Sequence, residues 1–128
     1  MTENELSHEI IGAAIEVHKC LGGPGLLEEH YEEAFCCELE LRGLRVDRQI
    51  CVPVIYKGKS LSKRYRLDLL VNDLVVVECK AVEKVLDVHK AQCLTQLRIT
   101  NKRLGLVVNF GERFVKNGIH RVVNDLQE

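Results

Sequence analysis

The chain has 128 residues, of which 46% are hydrophobic and 29% are charged, and its formal net charge at pH 7 is −1. These proportions, with only two prolines, exclude a disordered, collagen-like or disulfide-stapled chain. The longest apolar run, Leu74 to Val77, is far shorter than the ~20 residues that a membrane span needs. Because the N-terminus is acidic and no apolar segment follows a basic start, we expect one cytoplasmic domain over residues 1–128, with no membrane contact.

Two helices are predicted at the start of the chain. A helix over residues 4–20 is indicated by apolar side chains at helical spacing: Leu6, Ile10, Ala13, Ala14 and Val17. The segment from Leu21 to Gly25 ends this helix, because three glycines and a proline do not continue it comfortably. A second helix is predicted from about Leu26 to Leu41, and Gly43 is a natural C-terminal stop.

The hydrophobic pattern then changes to the alternation that is typical of strands. Strands are predicted over three segments: residues 46–56, 61–71 and 74–81. The remaining elements are a helix, a buried strand and a last short helix or turn: residues 88–100, 104–110 and 115–126. The order α-α-β-β-β-α-β, followed by a short helix or turn, predicts an α/β fold in which helices pack on a mixed sheet.

Charge is divided unevenly along the chain. Residues 1–40 carry ten acids and one base, whereas residues 41–128 carry 17 bases and nine acids. A basic surface attracts phosphates and steers nucleic acid, although lysines also protect solvated sheet edges from aggregation. On the first interpretation we predict nucleic-acid contacts at these bases: Arg42, Arg45, Arg48, Lys63, Arg64, Arg66 and Lys84.

The six cysteines form no recognisable metal or redox motif. No pair has Cys-x-x-Cys spacing, and no pair of histidines has zinc-ligand spacing. We therefore expect reduced, mostly buried thiols that act as small hydrophobes, with a zinc or redox role as the disfavoured alternative.

The third predicted strand carries the candidate chemistry. Glu78 and Lys80 are two residues apart, so they project from one face of a valine-rich strand that otherwise demands burial. Asp68 lies on the neighbouring strand, and two carboxylates that converge beside a lysine can hold Mg²⁺ with a cation near an attacking water. The alternative is a cross-strand salt bridge on a solvated sheet face.

The turn between these two strands decides whether the carboxylates meet. A two-residue turn would pair Val71 with Leu74 and place the carboxylates on opposite faces of the hairpin. A three-residue loop would instead pair Val71 with Val75 and bring Asp68 opposite Glu78. The metal-site hypothesis requires the second register or an equivalent bulge.

Two helices offer further polar groups to this site. Glu28 lies at the border of the apolar face of the second helix, where a carboxylate can reach toward a sheet or simply favour the helix N-terminus. His89, Gln92 and Gln96 share one face of the crossover helix, where amides can orient water or bind phosphate. His89 by itself is better explained as a surface or helix-end histidine.

These motifs together resemble a known nuclease superfamily. Asp68 followed by Glu78-Cys79-Lys80 resembles the D…(D/E)-x-K signature of the PD-(D/E)XK nucleases. The segment Gly25-Leu26-Leu27-Glu28-Glu29-His30-Tyr31 matches the signature of the small GxxExxY family within that superfamily. The segment from His89 to Gly111 is also similar to that family, so the resemblance covers nearly the whole chain.

The resemblance implies a restriction-endonuclease-like core and a divalent metal ion, Mg²⁺ or Mn²⁺, with four ligands: Glu28, Asp68, Glu78 and the carbonyl group of Cys79. It also implies that Lys80 lies near the attacking water and that Gln92 supports this water from the crossover helix. Glu28 would thereby belong to the catalytic group as well as to the metal ligands.

We therefore expect a metal-dependent phosphodiesterase that acts on nucleic acid, with DNA as the preferred substrate. The alternative is a binding module for nucleic acid or protein that keeps the fold without efficient catalysis, because fold does not fix function. A chain of 128 residues has little material for a target-recognition element, which leaves a protein partner or a homodimer open.

Overall fold

The computed structural model describes residues 1–127, which form a five-stranded mixed sheet with helices packed on it. In chain order its elements are α1 (Glu3–Cys20), α2 (Glu28–Leu41), β1 (Val46–Val52), β2 (Ile55–Tyr56), β3 (Lys59–Ser60), β4 (Tyr65–Val71), β5 (Val75–Lys80), α3 (Asp87–Thr100), β6 (Leu104–Asn109), a 3₁₀ turn (Val115–Gly118) and β7 (Ile119–Val123). Within the described residues, no helix is long and apolar enough to cross a bilayer.

The main sheet has the strand order β1-β4-β5-β6-β7. β5 and β6 run parallel, and the other neighbours run antiparallel. α3 makes the connection between β5 and β6, because parallel neighbours cannot be joined by a tight turn. β2 and β3 form a separate two-stranded hairpin.

The predicted α/β class and mixed sheet are confirmed, but two details of the element prediction are wrong. The short helix or turn predicted over residues 115–126 is a 3₁₀ turn over residues 115–118 only, and the chain then forms β7, which pairs with β6. The β-branched residues Ile119, Val122 and Val123 suit a strand, and β6 offers its edge as the partner. The strand predicted over residues 46–56 is divided near Pro53, which has no N–H group to donate to a ladder.

One face of the sheet is covered by α1 and α2. Phe110 lies at the centre of this core, stacked on Tyr31 with ring centroids 4.9 Å apart and edge-on to Phe35 at 5.5 Å. β5 contributes alternate residues to this core, all of them fully buried: Val75, Val77 and Cys79. This face therefore fixes the position of β5 by close packing.

The opposite face is covered by α3. Leu97 of this helix packs against Leu70 and Val76. Gly105 allows the close approach, because a Cβ at that position would lie 2.6 Å from the Sγ atom of Cys93. Since α3 covers only part of this face, the ends of β4 and β5 border an open cavity beside it.

The six cysteines are free thiols. Three of them are buried, as expected: Cys36, Cys79 and Cys93. The expectation of mostly buried thiols is wrong for the other three, which are exposed: Cys20, Cys37 and Cys51.

Candidate active site

The loop between β4 and β5 has the three-residue form that the metal-site hypothesis requires. Val71 pairs with Val75, and the pairing continues to Leu69 with Val77, so Asp68 and Glu78 are the next residues on the two strands. The loop holds two successive residues with positive φ, Asn72 at 52° and Asp73 at 54°. Asn and Asp tolerate this left-handed conformation better than most residues, which favours this register locally.

Asp68 lies where the strand ladders are interrupted on both sides. The β1–β4 pairing omits Gln49 and Asp68, and Gln49 has a φ of 52°. The Oδ2 atom of Asp68 accepts a hydrogen bond of 3.0 Å from the backbone N–H of Cys79. The Asp68 side chain thus reaches across to β5 and ties its carboxylate to the residue that follows Glu78.

Glu78 is a nearly buried carboxylate, with 7% of its surface exposed. Its Oε1 atom accepts a 2.7 Å hydrogen bond from Nε2 of Gln96, and its Oε2 atom lies 3.7 Å from Nζ of Lys80. Burial, and then the negative charge of Asp68, raise the pKa of Glu78 to about 7, while Gln96 and Lys80 oppose the rise. Lys80 therefore only partly offsets the repulsion between the carboxylates of Asp68 and Glu78.

A cavity of about 600 Å³ opens above this pair. Its walls come from β1, β4, β5, α3 and the segment before β4: Cys51, Lys63, Arg64, Tyr65, Arg66, Asp68, Glu78, Lys80, Gln92 and Gln96. Two of the three predicted acids, Asp68 and Glu78, thus line one space with the predicted lysine and three of the predicted nucleic-acid contacts. The cavity combines carboxylates at its floor with cations at its margin, a suitable arrangement for a phosphate near a metal ion.

A second cavity of about 350 Å³ lies beside Asp68 and contains Glu28. It is lined by acids of α2 and by polar residues of β1 and β4: Glu28, Glu29, Glu32, Arg48, Gln49, Arg66 and Asp68. Burial, and then the charge of Asp68, raise the pKa of Glu28, while Lys80 lowers it. Glu28 is thus close enough to Asp68 and Lys80 to interact with their charges, although it does not line the first cavity.

Tyr31 explains how Glu28 is positioned at the first turn of α2. Its hydroxyl donates a 2.7 Å hydrogen bond to the carbonyl of Gly23 and accepts one of 3.1 Å from the backbone N–H of Leu26. With its ring stacked on Phe110, Tyr31 anchors the glycine-rich loop that leads into α2. The loop, the acid and the tyrosine of the G-x-x-E-x-x-Y segment therefore form one structural unit.

Of the other predicted nucleic-acid contacts, Arg48 lines the second cavity and lies 3.9 Å from Glu32, and the remaining three lie elsewhere. Arg42 pairs with Glu38 at 2.9 Å and Glu9 at 3.3 Å between the two N-terminal helices. Arg45 pairs with Asp47 at 3.4 Å on an exposed part of β1. Lys84 lies in the connection between β5 and α3 and lines neither of the two cavities.

Sequence reasoning placed Gln96 on one helix face with Gln92 but did not predict its contact with Glu78, and it missed the roles of Glu32 and Gln49. It chose Gln92 of α3, which lines the cavity, whereas Gln96, one turn later, is buried and contacts Glu78. Glu32 is also buried and accepts a 2.6 Å hydrogen bond from Nε2 of Gln49, next to the break in the β1–β4 ladder. The spacing of Gln92 and Gln96 was a usable signal, but nothing local marks the pairing of Glu32 with Gln49.

The donor set fits a hard divalent cation in part. Within residues 1–127, no group of three or more His, Cys, Asp or Glu side chains is arranged to hold a metal ion. Asp68, half-buried, and Glu78, buried, nevertheless bring two oxygen donors together, and their mutual repulsion is only partly offset by Lys80. A cation would relieve that repulsion, and carboxylate oxygens suit Mg²⁺ or Mn²⁺.

The comparison with known protein families agrees with this geometry. The model of the PD-(D/E)XK nuclease superfamily matches residues 4–122, and the chain belongs to that superfamily. Its mixed sheet and helices are consistent with the restriction-endonuclease-like fold of these proteins. Nucleases of this superfamily generally use divalent metal ions. No curated protein and no solved structure matches the chain.

Proposed function

We propose that the protein is a nuclease that hydrolyses phosphodiester bonds in nucleic acid, with DNA as the substrate and Mg²⁺ or Mn²⁺ as the cofactor. The observation that carries the proposal is the buried Glu78 carboxylate, held against Asp68 beside Lys80 on the floor of a cavity with a basic margin. A structural salt bridge would not need a second, half-buried carboxylate that raises the pKa of the first.

Each residue at the site has a distinct proposed role. Asp68 and Glu78 bind the ion, with Glu28 and the carbonyl of Cys79 as further ligands. An ion held by these residues would supply positive charge to the scissile phosphate and would lower the pKa of a water bound to it. Lys80 orients the attacking water or stabilises developing charge, and Gln92 contacts the same water from α3.

The basic margin of the cavity holds the nucleic-acid backbone in this proposal. Lys63, Arg64 and Arg66 line the cavity within reach of a phosphate chain that enters it. Arg42 and Arg45 already have acidic partners, so we expect them to contribute less. Charge reversal at Arg64 and Arg66 should weaken binding to all sequences and flatten its salt dependence, whereas reversal at Arg45 should do neither.

We also propose that the chain belongs to the GxxExxY group of the superfamily. The support is the unit formed by Gly25, Glu28 and Tyr31, in which the tyrosine anchors the loop and the acid faces the cavity beside Asp68. Gly25 has a φ of 123°, a conformation that few other residues adopt.

One observation favours a second function, a binding module without efficient catalysis. The acids of the described residues do not assemble a cluster of three around one point. A domain with this arrangement would bind nucleic acid through its basic margin and use the acids only to shape the cavity. The two functions differ in whether a metal ion binds at Glu78.

Calorimetric titration of Mn²⁺, with cleavage assays on single-stranded and duplex DNA and RNA, distinguishes them. We expect Glu78→Ala to lose metal binding and cleavage, because it removes a ligand and its charge. We expect Lys80→Ala to keep metal binding but to lose about 100- to 1,000-fold in cleavage rate. Glu33→Ala, an exposed acid on α2, is the matched control and should behave as the wild type. Equal weak binding of Mn²⁺ by all four proteins would contradict the nuclease proposal and support the binding module.

A further inference from the structure

Residues 53–64, which we name the arm, extend beyond the main sheet between β1 and β4. Val52 pairs with Tyr65 at the end of the β1–β4 ladder, so a short turn could have joined the two strands there. Instead the chain forms the hairpin of β2 and β3, in which Ile55 pairs with Ser60 and Tyr56 with Lys59. The arm is therefore additional to what the sheet requires.

The arm has a defined shape. Lys57 and Gly58, at its tip, have φ values of 47° and 80°, the two positive values that a two-residue type I′ hairpin turn requires. The backbone N–H of Leu61 donates a 2.9 Å hydrogen bond to the carbonyl of Val54, which extends the pairing toward the base. The arm thus presents its side chains in a fixed arrangement, so little order is lost on binding.

The side chains of the arm do not contribute to the core. All residues from 55 to 64 are exposed, among them Ile55 at 58% and Tyr56 at 59% of their surfaces. A two-stranded hairpin with no packed face adds little to folding stability. An aromatic ring at this position is therefore better explained by an external contact than by packing.

The charge and location of the arm indicate the partner. It carries four cations and no acid: Lys57, Lys59, Lys63 and Arg64. The Nζ atom of Lys57 lies 5.5 Å from the centre of the Tyr56 ring. Lys63 and Arg64, at the base of the arm, also line the cavity that contains Asp68 and Glu78. The cations of the arm are thus continuous with those of the cavity, as a chain of phosphates running from the cavity along the arm would require.

We propose that the arm binds single-stranded nucleic acid, with an unpaired base stacked on Tyr56 and the flanking phosphates on Lys57 and Lys59. The inference rests on the proposed nuclease function and narrows its substrate class. Inside a duplex each base is stacked on both neighbours, so an exposed ring meets a free base face only at the two ends. In a single strand every base has a free face, and aromatic side chains beside cations bind such bases without regard to sequence.

Fluorescence anisotropy tests the proposal with a labelled oligothymidylate and a labelled blunt duplex of equal length, in EDTA so that no cleavage occurs. Tyr56→Ala should weaken binding of the single strand by about 5- to 100-fold and change duplex binding little. Tyr56→Phe retains the ring and should bind within about twofold of the wild type. Replacing Lys57 and Lys59 by glutamine should reduce the slope of log Kd against log salt by about 1.4 for the single strand.

The matched control is Phe114→Ala. Phe114 is 58% exposed and has the guanidinium of Arg113 5.2 Å from its ring, so it reproduces the chemistry of Tyr56 at a position outside the arm and the cavity. Unchanged single-strand binding in Phe114→Ala, with a loss in Tyr56→Ala, would support the proposal. Equal losses in both variants, or no loss in Tyr56→Ala, would overturn it.

The outcomes separate this inference from the proposed function. A wild type that prefers the duplex and is indifferent to Tyr56 would overturn the role of the arm and leave the nuclease proposal intact. A wild type that binds neither probe would overturn the arm proposal and the choice of nucleic acid as substrate together. Circular dichroism melting of each variant shows whether a loss of binding comes from a loss of folding.

Discussion

The two faces of β5 show how this fold separates stability from chemistry. Val75, Val77 and Cys79 lie on the face beneath α1 and α2 and are fully buried in an apolar core. On the opposite face, Val76 packs under α3 with Leu97, but the strand then ends in Glu78 and Lys80 beside an open cavity. One strand is thus held by close packing on one side, which leaves the other side available for charge.

The difference indicates where free energy is gained and where it is lost. Apolar burial under the N-terminal helices stabilises the sheet, at about 25 cal/mol for each Å² removed from water. The burial of Glu78 against Asp68 opposes folding, and the rise of its pKa to about 7 reflects that cost. A pair of carboxylates whose repulsion disfavours folding is more readily explained by function than by stability.

The largest expected effect on stability is on the face of the sheet beneath α1 and α2. Phe110→Ala removes a fully buried ring that packs on Tyr31 and Phe35, and it should lower the free energy of unfolding by about 3–5 kcal/mol. Urea denaturation measures this change. Phe114→Ala is the control, since it removes an exposed phenyl ring and should change stability by less than about 0.5 kcal/mol. A loss below about 1 kcal/mol in Phe110→Ala would show that this face does not dominate stability.

The next largest effect concerns Glu78, on the face of β5 that borders the cavity. Here a substitution should raise the free energy of unfolding rather than lower it. A raised pKa means that the folded protein keeps the Glu78 proton between pH 4.5 and about 7, where the unfolded chain has released it. The wild type should therefore lose stability as pH rises through this window, by about 3 kcal/mol in total. Glu78→Gln cannot ionise, so in EDTA at pH 8 it should be the more stable protein, with little difference at pH 4.

Urea denaturation at both pH values measures the difference between the two proteins. Glu33→Gln removes an exposed acid from α2 and should show no such dependence on pH. If the pair of Glu78 and Lys80 instead acts as a stabilising salt bridge, Glu78→Gln will be less stable than the wild type at pH 8. A less stable Glu78→Gln at pH 8 would mean that both faces of β5 stabilise the fold, and it would contradict the contrast between them.

Those parts of the architecture that follow from local rules could be predicted from the sequence. Strand geometry places the side chains of Glu78 and Lys80 on the same face, because they are two residues apart. For the pairing of Asp68 the sequence left two registers, and the structure has the one with the three-residue loop. The C-terminal segment was predicted as a short helix or turn, and the strand over residues 119–123 depends on the distant edge of β6, with which it pairs.

Features that depend on distant partners could not be predicted. The density of bases gave no means of separating Arg42, which Glu9 and Glu38 neutralise, from Arg64, which lines the cavity. Likewise, the face of α3 contained both Gln92 and Gln96, but which of them is buried depends on how the helix crosses the sheet. Long-range packing, rather than composition, selects the residues that contact the site.

A smaller effect is expected where α3 approaches the sheet. Gly105→Ala places a Cβ 2.6 Å from Sγ of Cys93, so α3 must shift, at a cost of about 1–3 kcal/mol in the free energy of unfolding. Cys93→Ala removes the clashing atom, and the double variant should recover part of the loss caused by Gly105→Ala. Urea denaturation of the four proteins gives the coupling energy. Additive losses would show that the thiol of Cys93 is not what Gly105 accommodates.

The smallest expected effect isolates the polar contact between α3 and β5. Gln96→Met keeps the volume of the side chain but removes the 2.7 Å hydrogen bond to Glu78, which stabilises the ionised carboxylate. The pKa of Glu78 should therefore rise further, and stability at pH 8 should fall by about 1 kcal/mol, while at pH 4 it should not fall. Carbon-13 NMR titration of the Glu78 carboxyl group measures the first change. Gln92→Met, on the same helix face but exposed, should leave the pKa unchanged, and an equal rise in both variants would assign the effect to the polarity of the cavity rather than to this contact.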